Sequence, residues 1–212
     1  MPSDDNFLTT FHLLGSRISA TPSTQRQFIN LEQFLLDVTI RFRNEDSRVN
    51  EALWCWLMRY GRFFSPHKII KLVKNKYPYD PSILGAILSG IDNKFPKSGD
   101  FASLKKFTKK DTGVPLYSFL KNPREQDKNF EKFNIIAPFF SVAETDHYIH
   151  SHSFIGKNCS EIRHRTQGYT IAIADLRAAI EIHGKQSIYF LAKITSITYA
   201  HAYECIKKFS LI

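Results

Sequence analysis

Within the segment DHYIHSHSFIGKNCSEIRH the chain gathers Asp146, His147, His150, His152, Cys159 and His164. Each is a metal-ligand type, and paired histidines are also the acid and base of a ribonuclease-like mechanism. Spacing limits both ideas. In an extended segment His150 and His152 project to one face and His147 to the other, which leaves two imidazoles together and no third or fourth ligand. The sequence has no HExxH, no CxxC pair, no phosphate-cradling glycine loop and no GxSxG. The expectation is a polar segment of ordinary histidines, with no metal, no cofactor and no enzymatic activity. A metal-dependent or His-based nuclease built on residues 146–164 is the alternative. Cys55, Cys159 and Cys205 are odd in number and far apart, so they read as reduced, buried thiols.

The second chemistry-bearing feature is basic charge. With 29 Lys plus Arg against 20 Asp plus Glu, the formal net charge is +9, which favours a polyanionic partner through counterion release. From Ala52 to Tyr79 there are six Lys or Arg and no acid. Lys68, Lys71 and Lys74 recur every three residues there, with Arg59 and Arg62 nearby, the spacing of a phosphate-facing stripe.

The elements that must position these groups read as helices around an aromatic-rich core; 43% of residues are hydrophobic and 18 are Phe. Leu31, Phe34, Leu35, Val38 and Phe42 lie at steps of three and four residues and predict one amphipathic helix. Gly61, the Ser65-Pro66 pair and the Asp80-Pro81 pair then divide the chain into helices over about 49–60, 66–76 and 81–91. The reading is a mainly α fold: a mobile arm over residues 1–27, a helical module with a basic face over 28–94 and a basic connecting segment over 95–132, with one short helix near Leu116 to Leu120. A small β element comes next over 133–170, then a C-terminal unit over 171–212. No apolar run is long enough to span a membrane, and MPSDDNFLTTFHLL has two acids where a signal peptide carries bases, so a cytoplasmic chain with no membrane partner is expected.

In the C-terminal unit, TIAIADLRAAIEIHGKQ predicts a helix over 174–183 ended by Gly184. A second helix is predicted over 187–195, burying Ile188, Leu191 and Ala192, and a third over 198–209, burying Ala202, Ile206 and Phe209. Ala192 must be small where two helices cross, Ser196 occupies the left-handed turn position and Ile197 drops between the helices. This pattern of LAK, tight turn, hydrophobe, Thr cap and AY pair resembles the helix-turn-helix DNA-binding superfamily over about a sixth of the chain. The superfamily's usual glycine is Ser196 here, and its usual apolar turn residue is Thr195.

The resemblance implies a last helix that enters the major groove of duplex DNA with its N-terminal half. Stepping about 100° per residue leaves Thr198, Tyr199, Ala200, Tyr203, Glu204 and Lys207 outward as base readers. Lys185, Lys193 and Lys208, with Lys68, Lys71, Lys74, Arg59 and Arg62, are the expected phosphate contacts. The implied function is sequence-specific binding of double-stranded DNA, as a transcriptional regulator and homodimer. An antitoxin or adaptor that grips a protein partner is the competing class.

Overall fold

A computed structural model describes residues 4–18, 26–96, 101–117 and 125–211. The chain is mainly helical and divides into two compact units: residues 1–31 with 150–212, and residues 32–149. No helix among the described residues is long and apolar enough to cross a membrane.

The unit over 32–149 contains α2 (Leu31–Arg41, which begins one residue before the boundary), α3 (Ser47–Tyr60), α4 (Pro66–Lys74), α5 (Pro81–Lys94) and the short α6 (Lys128–Glu131). Side-chain caps fix three of these starts, two of them at the Ser65-Pro66 and Asp80-Pro81 pairs. Asp46 accepts from the Val49 N–H (2.9 Å), Ser65 from Lys68 (3.3 Å) and Asp80 from both Ser82 and Ile83 (2.8 and 3.0 Å), each satisfying an orphan donor of a first turn. The core is aromatic: Trp54, Phe42, Phe130 and Phe140 meet with ring centroids 5.2 to 6.1 Å apart. Burying each such side chain is worth about 1.5–3 kcal/mol. Where α3 and α5 approach, only glycine fits at Gly90, because a Cβ there would lie 2.6 Å from the Trp54 ring.

Two expectations for this unit are corrected. Residues 95–132 are not merely a connection, since a 3-10 helix at Phe101–Phe107 buries Phe101 and Leu104, and α6 buries Phe130. The short helix expected at Leu116 to Leu120 falls largely on residues 118–120, outside the described residues. Among the described residues the small β element holds no strand, only isolated bridges such as those pairing Pro115 with Ile136 and Gln126 with Pro138. The β-branched and aromatic residues there fill the core as irregular chain: Ile135, Ala137 and Phe140 are buried.

The other unit contains α1 (Asp4–Leu13), α7 (His152–Asn158), α8 (Ser160–Thr166), α9 (Ile171–His183), α10 (Ile188–Ile194) and α11 (Tyr199–Phe209). The mobile arm expected over residues 1–27 is instead helical over Asp4–Leu13, with Phe7, Phe11 and Leu14 buried; residues 19–25 lie outside the described residues. Cys159 Sγ donates to the Leu13 carbonyl (3.0 Å), and the His150 N–H donates to the Gly15 carbonyl (2.9 Å). Arg165 and Asp175 form a buried two-point ion pair between α8 and α9, at 2.8 Å for each bond.

Residues 26–30 act as a strap within this unit, not as the start of a separate N-terminal module. Arg26 pairs with the buried Glu161 (2.7 Å), whose other oxygen accepts from the Ile29 N–H (3.1 Å). The Phe28 N–H donates to His183 Nε2 (3.3 Å), and Asn30 Nδ2 donates to Ser196 Oγ (2.9 Å).

Candidate nucleic-acid interface

Helices α9, α10 and α11 close around one small core: Ile173, Leu176 and Ala179 from the first, Leu191 and Ala192 from the second, Ala202, Cys205 and Ile206 from the third. Ile197, in the junction, packs against the same cluster. The elements start and stop where local chemistry dictates. Gly184, at φ 72°, closes α9. Ser187 caps α10 by accepting from the Phe190 N–H (3.2 Å), and Thr198 caps α11 by accepting from the His201 N–H (3.4 Å).

The α10–α11 junction explains its two unusual residues. Ser196 has φ 58°, the left-handed conformation that favours glycine. The Ile197 N–H reaches back to the Ala192 carbonyl (3.0 Å) and the Ser196 N–H to that of Lys193 (3.3 Å), the double bond pattern that ends a helix through a left-handed residue. The hydroxyl is what serine adds, because it accepts from Asn30. Thr195 is fully buried, and its hydroxyl donates to the Leu191 carbonyl (2.7 Å), so a polar residue sits in the core with its donor satisfied.

Thr198, Tyr199, Ala200, Tyr203, Glu204 and Lys207 lie along α11 and its cap and are all exposed, as are Lys185, Lys193 and Lys208 on the same unit. Tyr199 and Tyr203 stack near-parallel, with centroids 6.5 Å apart. Between Gly184 and Ser210 the only acid is Glu204. One inward residue is misassigned by periodicity: Phe209 is 42% exposed with Lys208 Nζ 5.5 Å from its ring centre, and Cys205 fills the core in its place.

The basic set of the other unit separates into two kinds. Lys68 lies beside the buried Glu32 (4.0 Å), and Arg59 pairs with Asp146. Both side chains are nearly covered, at 11% and 12% exposure, so they balance carboxylates within the unit and are not part of an outward stripe. Lys71 and Lys74 are exposed, as is Arg62, whose guanidinium lies over the Phe63 ring (4.6 Å). Every third position of a helix does not hold one face, and over α4 the drift turns Lys68 toward Glu32.

The histidine-rich segment is not a strand, so His150 and His152 do not share a strand face. Ser151 accepts from the Phe154 N–H (3.3 Å) and starts α7, with His152 as its first residue. His147 Nδ1 is bound to the Glu144 carbonyl oxygen (2.9 Å), while His150 stacks on Phe154 (3.9 Å) and accepts from Arg17 (3.4 Å). Burial, together with the charges of Arg17 and His12, holds His150 below the usual imidazole range. His164 contacts Glu181 (3.0 Å), and burial pushes the Cys159 thiol up to about 12, so it is no thiolate. Among the described residues no three His, Cys, Asp or Glu side chains converge as a metal site.

Sequence reasoning missed two residues of the α10–α11 surface. Tyr189 is 69% exposed and His201 is exposed. Both were findable, since neither falls on the buried positions of its own helix; His201 stands at the flank, with Nε2 3.8 Å from Cys205 Sγ. Asn30 was not findable, because nothing local ties it to a turn 166 residues away. Comparison of the chain with protein-family models, with curated proteins and with solved structures returns no match.

Proposed function

We propose that α9, α10 and α11 form a helix-turn-helix that binds double-stranded DNA sequence-specifically, and that the chain acts as a transcriptional regulator in the cytoplasm. The observation that carries this reading is the left-handed junction at Ser196. It fixes α10 against α11 while leaving the Tyr199-to-Lys207 face uncovered. In this reading the N-terminal half of α11 enters the major groove, and Lys185, Lys193 and Lys208 hold phosphates. One such helix reads only a few base pairs, so a homodimer on two half-sites supplies the remaining discrimination.

The test is polarisation binding to duplexes selected from a random pool. Tyr203→Ala and Lys207→Ala should each weaken binding while leaving the circular dichroism spectrum unchanged. Unchanged affinity in both variants overturns the assignment of this face.

A second reading, an antitoxin or adaptor docking a protein partner, is favoured by one feature. Tyr189, Tyr199, Tyr203 and Phe209 are large, exposed and of the types enriched at protein interfaces. Salt separates the two, because phosphate contacts make affinity fall steeply with ionic strength.

A further inference from the structure

The unit over 32–149 holds a cavity of about 310 Å³ that the DNA-binding reading does not use. Its walls come from α5, from the 3-10 helix at Phe101–Phe107 and from the chain that follows α6. Leu88 and Phe101, at 5% and 2% exposure, and the half-buried Phe133 give it an apolar floor. The Phe133 ring lies so close to α5 that a Cβ at Gly85 would fall 2.2 Å from it, so the missing side chain is what admits the ring. Pockets that bind small molecules span about 300–1,000 Å³ and combine such a floor with a few placed polar groups. About 150 Å³ is enough for benzene. The space here therefore takes two fused rings.

The charged groups of the lining are Lys105, Lys132 and Asp92. Two ammonium groups face one carboxylate, and Asp92 already takes part in a contact within the unit, so the site is net cationic. Lys132 is held in place by a chain of hydrogen bonds. Its Nζ donates to Ser89 Oγ (3.0 Å), Ser89 Oγ donates to Asn129 Oδ1 (3.1 Å), and Asn93 Nδ2 donates to the same oxygen (2.7 Å). An ammonium has three protons, so two remain for a ligand. An apolar slot with a positioned cation at its wall suits an aromatic body bearing a carboxylate.

We propose that this cavity is a binding site for a small aromatic carboxylate, its rings on Leu88, Phe101 and Phe133 and its anionic group on Lys132 and Lys105. The site lies within one unit and stands independently of DNA binding by α11.

The experiment titrates the full chain with naphthoate, its neutral amide and naphthylmethylamine, which share the two rings and differ in charge, and follows amide N–H correlation spectra. Naphthoate should give saturable shifts concentrated at residues 85–93, 101–108 and 132–133. The amide should bind about tenfold more weakly and the amine more weakly still. Because both lysines are exposed, Lys132→Gln and Lys105→Gln should each weaken naphthoate only about two- to fivefold, with the spectrum elsewhere unchanged. An amide or amine that binds as well as naphthoate overturns the anionic specificity, and so does full affinity in both variants. No saturable shift at these residues with any of the three compounds overturns the site itself.

Discussion

Ser196→Gly and Ser196→Ala, compared with each other, test the geometry on which the α10–α11 junction depends. Both variants lose the hydroxyl that accepts from Asn30, so that contribution cancels between them. The backbone remains. At φ 58° a residue with a Cβ is strained by about 1–2 kcal/mol. Glycine escapes that strain but loses about 0.5–1 kcal/mol more entropy on folding than alanine. The glycine variant should therefore be the more stable of the two by about 0.5–1 kcal/mol. Had residue 196 continued a right-handed helix, the sign would reverse, with alanine favoured by about 0.8–1 kcal/mol. Relative to the wild-type chain, Ser196→Ala should cost about 1–2 kcal/mol, because Asn30, only 6% exposed, loses an acceptor while the strain stays. Urea unfolding followed by circular dichroism measures all three, provided the slopes agree. An alanine variant at least as stable as the glycine variant refutes the left-handed junction.

Removing the charge of Asp175 by Asp175→Asn leaves the buried Arg165 guanidinium without its carboxylate, and should lower stability by about 3–5 kcal/mol in the same urea assay. Ala192→Leu forces bulk into a site that is 5% exposed and should cost about 1–3 kcal/mol, with loss of DNA binding read by polarisation. For Glu181, burial alone raises the carboxyl, but hydrogen bonds from Arg163, Ser160 and His164 outweigh it and hold the group at about 2, against an ordinary 4.5. A depressed folded-state value contributes stability above the unfolded value and loses it as protons bind. The urea midpoint should thus fall between about pH 4.5 and 2, and Glu181→Gln should flatten that part of the profile; an unchanged profile contradicts the pairing.

The sequence made the helices legible wherever punctuation was local. Ser65 and Asp80 cap α4 and α5, and Gly184 and Ser196 end α9 and α10, whereas the Asp46 cap of α3 was not anticipated. Each is decided within a turn of chain. The apolar face of α11 was legible for two of its residues, since Ala202 and Ile206 are buried; Phe209 was not, because periodicity does not know where a helix stops being covered. The β element failed for a related reason. β-branched and aromatic residues such as Ile135 and Phe140 signal burial as much as strand, and here only burial applies. Long-range partnership was invisible. Nothing near Lys68 or Arg59 in sequence announces Glu32 or Asp146, and nothing near Arg26 announces Glu161.

Whether α11 and its lysines meet a phosphate backbone is decided by a salt titration of full-chain binding to a selected duplex, for the wild type and for Lys193→Ala and Lys208→Ala. Log affinity should fall in a straight line with log salt, its slope reduced by about one unit for each lysine removed. A slope near zero, or one that neither substitution changes, contradicts DNA binding by this face.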